Sequence, residues 1–217
     1  IGANIGLYSI YAAVKFKDIE IISFEPSTSN TRTLSRNISI NNFESKISIF
    51  PLALSDKENI ISRFVETRFE EGSSMSNYNN DIDYTGQIIK ENQIKNKYNL
   101  FGTNIDNLIL NKILTVPNYI KIDVDGIEHL ILKGAENLLK NKYLKELSIE
   151  MNPTYEKQYE FINNIMEKNN FKKVASLNKK LLNDKNYKLK LNETVNEIFK
   201  KNIWNFSKKL LEKIMFQ

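Results

Sequence analysis

The chain has 217 residues, 41% hydrophobic and 26% charged, with seven glycines, four prolines and no cysteine, enough for one globular domain with a sizeable core. The lack of cysteine excludes a disulfide framework and a thiolate zinc site, and the lone His129 excludes a polyhistidine metal centre, so no metal is expected. The net charge of +5 is mostly lysine and lies in no arginine-and-aromatic stripe of the nucleic-acid-binding kind. With no apolar run of the roughly 18 to 20 residues that cross a bilayer and no basic leader in residues 1–6, the expectation is a cytoplasmic protein without nucleic-acid partner or transmembrane segment.

Gly2, Asn4 and Gly6 precede residues 7–14, which are apolar on nearly every side and predict a buried helix behind a glycine turn. The β-branched run at 19–24 predicts a strand closed at Glu25, because Pro26 cannot continue a ladder. Ser27 or Ser29 caps a helix reaching about Asn41, with Leu34 and Ile38 on its inner face. Residues 46–54 read as one further strand, followed by a polar turn at 55–59. The polar stretch 60–102 carries no clear period and fits a hairpin excursion with loops, while 103–110 reads as a short strand entering a helix at Asp106. Residues 119–124 predict a strand running into Asp125-Gly126, 128–140 a helix bent at Gly134, and 147–151 a strand stopped by Asn152-Pro153. A helix carrying Tyr155, Tyr159, Ile162 and Met166, a strand at 171–177, an edge-proximal strand at Ile198-Phe199 and an amphipathic helix at 203–216 complete the chain. This alternation predicts an α/β fold, mainly parallel, with helices on both faces; residues 1–202 form the domain and 203–217 a terminal helix.

In such a sheet, ligands bind beyond the carboxyl ends of the strands, where glycine turns let backbone approach them. Gly2, Asn4 and Gly6 have that form, and Glu25, closing the next strand, suits the two ribose hydroxyls of an adenosine cofactor. Nicotinamide dinucleotides and S-adenosylmethionine both use this device. A pyrophosphate favours G-x-G-x-x-G, a spacing missing here, so S-adenosylmethionine is the better match on residues alone.

The residues Ile1-Gly-Ala-Asn-Ile-Gly-Leu-Tyr-Ser9, Phe24-Glu-Pro26 with Asn30 and Arg36-Asn37, Ala53-Leu-Ser-Asp56, Gly72-Ser-Ser74, Ile105-Asp106, Ile120-Lys-Ile-Asp-Val-Asp-Gly-Ile-Glu128, Leu132-Lys-Gly-Ala135 and Glu150-Met-Asn-Pro153 occur in this order. Together they resemble the landmarks of the FkbM-type S-adenosylmethionine-dependent methyltransferases, over about residues 1–202. The resemblance implies a doubly wound, Rossmann-like class I methyltransferase sheet of seven strands and methyl transfer to a hydroxyl of a sugar, glycan or secondary metabolite. It puts Gly2, Asn4 and Gly6 at the methionine end of the cofactor, Glu25 on the ribose, Ser55 and Asp56 by the adenine, and Asp123 facing the transferring methyl. Two departures stand out. Asp125 occupies a position where the family usually has Glu, and the family's first strand and the acidic residue before the glycine turn are absent, so the protein is expected to extend upstream of Ile1.

Methyl transfer from a sulfonium asks the protein to align the acceptor and help remove its proton. Asp123, Asp125 and Glu128 supply candidates, with Asp123 first for base or orienter and His129 second. For His129, a helix-surface or core-edge imidazole without catalytic role is the more expected reading. A nicotinamide-dependent oxidoreductase and a catalytically silent module that keeps the fold are the alternatives. Glu150 and Asn152 end a strand at the same rim, where acceptor contact and turn formation are both open, and Gly72-Ser73-Ser74 reads either as a lid or as an ordinary loop. Asp81 and Asp83 are expected to be solvated.

Overall fold

A computed structural model describes residues 1–176 and 194–202. The predicted helix at 203–216 and the end of the predicted strand at Leu177 lie outside the described residues.

The chain begins in a turn and enters α1 (Leu7–Lys15), with Gly6 at its start in the left-handed region at φ 94°. Only Ser9 and Ala13 of α1 are buried, and Ser9 Oγ meets Ser23 Oγ at 2.8 Å. The predicted buried helix is therefore corrected: Leu7, Tyr8, Tyr11 and Val14 are all more than half exposed, because α1 turns just one narrow stripe toward the sheet. Next come β1 (Ile21–Phe24) and α2 (Thr28–Ile40), whose cap Ser27 accepts from the Asn30 N–H and whose buried stripe is Asn30, Leu34 and Ile38. The strand predicted over 46–54 is two strands, β2 (Ile47–Phe50) and β3 (Ala53–Leu54), which join different sheets. Pro51 lies in the gap and has no N–H to continue a ladder.

The stretch that resisted reading folds as β4 (Ile60–Glu66), β5 (Ser76–Tyr78) and β6 (Asn96–Thr103). With β3 they form a mixed sheet in the order β3-β6-β4-β5, in which β3 runs parallel to β6 and the other pairs are antiparallel. Its centre is Ala53, Phe64 and Tyr78. Gly102 is required there: a Cβ would lie 2.5 Å from the Tyr78 ring, whose hydroxyl donates to Ile60 O. The helix expected at Asp106 begins one residue earlier as α3 (Ile105–Leu110), capped by Asn104 accepting from the Asn107 N–H.

The second half carries β7 (Tyr119–Ile122), α4 (Glu128–Lys133), α5 (Glu136–Lys140), β8 (Glu146–Met151), α6 (Glu156–Lys168), β9 (Phe171–Ser176) and β10 (Val195–Lys201). The expected bend at Gly134 is a break between α4 and α5, tight enough that a Cβ on Gly134 would meet Ser55 O at 2.2 Å. The strands order β7-β8-β10-β9, parallel across β7 and β8 and antiparallel on both sides of β10. The strand expected at Ile198-Phe199 is β10, which lies beside the edge strand β9. The sheets are short and mixed, which corrects the expectation of a mainly parallel arrangement. The main core joins the inner faces of β7, β8, β9 and β10 to α3, α4, α5 and α6, while a smaller one lies between α1, α2 and β2.

Residues 1–3 tie β1 and β2 to the second half. The Ile1 nitrogen donates to Lys121 O at 2.8 Å and the Asp123 N–H to Ile1 O, while the Gly2 and Ala3 N–H groups donate to Phe24 O at 3.0 Å. The glycine turn therefore sits between the carboxyl ends of β1 and β7.

Candidate active site

A cleft of about 570 Å³ opens at those strand ends. Its volume lies within the range typical of small-molecule sites. Gly2 takes φ 73°, and a Cβ there would lie 1.9 Å from the Asp123 carbonyl oxygen, so only glycine lets the turn press against β7. Asn4 is left-handed as well, at φ 51°. Its N–H donates to Glu25 Oε2 at 2.7 Å, its own Oδ1 accepts from the Ile5 N–H, and its Nδ2 reaches the carbonyls of Gly72 and Ser73.

Glu25 is 4% exposed and its Oε1 accepts from the Ser27 N–H at 2.9 Å. Burial pushes its carboxyl upward, opposed by these two N–H donors. The Asn30 side-chain amide is a third neighbour that favours the charged form, and the carboxylate retains some acceptor capacity beyond these contacts.

The opposite wall comes from the second sheet and the loop at 72–76. Asn30 of α2 grips that loop twice, its Oδ1 accepting from the Gly72 N–H at 2.8 Å and its Nδ2 donating to Ser73 O at 3.1 Å. Asp125 grips it from below, Oδ2 accepting from the N–H groups of Met75 (2.5 Å) and Ser76 (2.9 Å). Burial raises the Asp125 carboxyl, with those same N–H groups opposing. Gly72-Ser73-Ser74, read as lid or loop, is thus a roof held by Asn4, Asn30 and Asp125. Phe64, Tyr78 and Tyr84 add apolar and aromatic surface to this side.

Gly2, Asn4, Glu25, Asp123 and Asp125 all line the cleft. Four other candidates do not. Gly6 packs beneath the turn, where a Cβ would lie 2.5 Å from Leu34 Cδ1. Ser55 is buried, its N–H donating to Thr103 O and its Oγ accepting from the Lys57 N–H, and Asp56 is salt-bridged to Lys133 and Lys57. The cleft is lined instead by Leu52, Ala53 and Leu54 of the same segment. His129 lies between α4 and α6, edge-on to Tyr155 and Phe161 with ring centroids 6.2 Å away, and Gln158 Nε2 is 3.4 Å from its Nδ1. Burial lowers its basicity. Asp83, expected to be solvated, organises a turn by accepting from the N–H groups of Thr85 and Gln87.

Glu150, Thr194 and Asn30 also line the cleft. Asn30 sits at the third position of a serine-capped helix, a signal that marks the cap rather than its reach toward the 72–76 loop. Thr194 is more than forty residues from Glu150 in sequence, and only the antiparallel return of β10 brings them together. Among the described residues no group of three or more His, Cys, Asp or Glu is arranged to hold a metal, and no helix is long and apolar enough to cross a membrane.

The structure is similar to the crystal structure of Methyltransferase FkbM from Methylobacillus flagellatus KT, with a TM-score of 0.53 and 18% sequence identity, over 92% of this chain and 41% of that one. The chain thus spans less than half the length of that relative. No curated protein matches it. The family model of the methyltransferase FkbM domain matches residues 1–173, including every element of the cleft except Thr194. By that match the chain belongs to the FkbM methyltransferase family.

Proposed function

We propose that the protein is an S-adenosylmethionine-dependent methyltransferase that methylates a hydroxyl oxygen of a sugar, glycan or secondary metabolite. The observation that carries this reading is the hydrogen bond from the Asn4 N–H to Glu25 Oε2, which joins the glycine turn and the carboxylate into one wall of the cleft. Glu25 would accept from the ribose hydroxyls. The turn at residues 2–5 would take the methionine end, and Leu52 with Leu54 would offer an apolar seat to the base. When bound, S-adenosylmethionine supplies an activated methyl group on a positively charged sulfur. The residues' own work is to exclude water, to hold the acceptor oxygen in line and to receive its proton. In this reading the β2-β1 and β7-β8-β10-β9 groups are two parts of one class I methyltransferase sheet.

Asp125 works in this reading through its grip on Met75 and Ser76, shaping the roof over the acceptor, while Asp123 faces the acceptor region. Calorimetric titration tests the reading. S-Adenosylhomocysteine is expected to bind and NADH not to; binding of NADH instead would favour the nicotinamide alternative. Binding of S-adenosylhomocysteine without methylation of any glycan or metabolite acceptor would favour the silent module.

A further inference from the structure

We infer that Glu150, at the carboxyl end of β8, is the residue that receives the proton of the acceptor hydroxyl, working as one member of a carboxyl pair with Asp123. The inference rests on the methyltransferase reading and deepens it.

The pair is built by strand register. Ile122 of β7 stands opposite Ile149 of β8, so one residue further on Asp123 and Glu150 leave adjacent parallel strands side by side. Both line the cleft, and Asp123 acts on the Glu150 carboxyl as a neighbouring like charge. Their surroundings differ. Lys121, two residues earlier on the same face of β7, is ion-paired with Asp123, and its ammonium also lies 4.0 Å from the centre of the Tyr8 ring. Glu150 accepts instead from the neutral hydroxyl of Thr194 at 2.7 Å. On its other flank the registered partner is Asn196 of β10, whose Oδ1 is buried and has no hydrogen-bond partner among the described residues.

The cation is thus committed to one carboxyl, and the other is left between a like charge and neutral groups. Two neighbouring carboxyls resist ionising together, so one of them keeps a proton to higher pH. Glu150 is pushed up to about 7, first by burial and then by Asp123, with Thr194 and Lys121 opposing. Glu128, buried behind the Asp125-Gly126 turn, and Asp125 lie on that side, and burial favours the neutral form of each. A base whose affinity for a proton lies near working pH is the most effective kind. The proton leaving the acceptor hydroxyl passes to a Glu150 oxygen. The electron pair of the O–H bond becomes the new O–C bond, and the pair of the C–S bond stays on sulfur.

A ligand that needs no acceptor reads this out. Sinefungin resembles S-adenosylhomocysteine but carries an amine where the transferable methyl would be, so its extra cation reports on carboxylates at that point. With the intact protein, the affinity of sinefungin relative to S-adenosylhomocysteine is expected to rise about tenfold between pH 6 and pH 8, as Glu150 loses its proton. In Glu150→Gln the ratio is expected to be flat over that range while S-adenosylhomocysteine binds as before. In Asp123→Asn the step is expected to move about one unit toward acid. A direct check is carbon-13 NMR titration of the glutamate carboxyls, in which a resonance that titrates near pH 7 is expected to be missing from Glu150→Gln. A flat ratio in the unmodified protein, an unchanged step in Glu150→Gln, or no carboxyl resonance near pH 7 that disappears in Glu150→Gln would overturn the inference. Failure of S-adenosylhomocysteine to bind the unmodified protein at any pH would instead overturn the cofactor reading beneath it.

Discussion

The two walls of the cleft are held by different means. The wall at the strand ends is backbone against backbone: Gly2 and Ala3 donate to Phe24 O, the Asp123 N–H donates to Ile1 O, and Gly2 leaves no room for a side chain between them. The roof at 72–76 is held by side chains reaching out of other elements, Asn4 from the turn, Asn30 from α2 and Asp125 from the β7 end. Backbone contacts fix position with little freedom, whereas each side-chain tether can be removed singly and leaves its element in place. The cleft thus combines a floor fixed by backbone with a cover held by separable tethers.

The sharpest attempt to break this contrast is Gly2→Ala. A Cβ 1.9 Å from a backbone oxygen, at a left-handed φ, has no flexible neighbour to yield, so a loss of about 3 kcal/mol or more is expected in denaturant unfolding. A loss under 1 kcal/mol would show that the floor is not rigid. Removing a roof tether is expected to cost less. Asp125→Ala strands the Met75 and Ser76 N–H groups, at about 1.5 to 3 kcal/mol, and hydrogen exchange should quicken at those two amides while those of β7 and β8 stay protected. Exchange quickening equally across β7 would mean that floor and roof open together.

Glu25→Ala separates ligand binding from architecture. It is expected to weaken S-adenosylhomocysteine binding by about 1 to 3 kcal/mol in calorimetry, and an unchanged affinity would remove Glu25 from the ribose. Glu150→Gln carries a smaller, pH-dependent effect. A carboxyl raised to about 7 in the folded chain, against about 4.3 unfolded, favours folding when protonated, and that advantage is lost as pH rises from about 4.3 through about 7. The amide variant is therefore expected to be more stable at pH 8, by about 1 kcal/mol once solvent screening is allowed for, and to match the parent near pH 4. Equal stability at both would indicate a solvated Glu150. The smallest effect belongs to His129→Ala, which lies between α4 and α6 and should leave S-adenosylhomocysteine affinity within about twofold.

How far the site could be read in advance follows the same division. The floor was legible because its signals are local: glycines at a turn, a β-branched run ended by Glu25-Pro26, and a strand running into Asp123. The roof was not, since residues 60–102 alternate weakly and their strands are stabilised by pairing with β3 and by Tyr78 packing over Gly102. The break at Pro51 follows from proline's missing N–H, yet a run of apolar residues on both sides of it masked the change of sheet. His129 and Glu150 make the point within a single fold. His129 lies close to Asp123 in the chain, yet α4 carries the imidazole away from the cleft, whereas Glu150 arrives there from a strand 27 residues on.

The sequence by itself determined what nearest-neighbour physics controls: where helices are capped, where only glycine can turn, which β-branched runs extend and which acidic residues close them. The tertiary structure decided which carboxyls meet, because strand register places Asp123 and Glu150 together and gives Lys121 to only one of them. It also decided which polar side chains hold the roof, since Asn4, Asn30 and Asp125 converge on 72–76 only after three separate elements have packed.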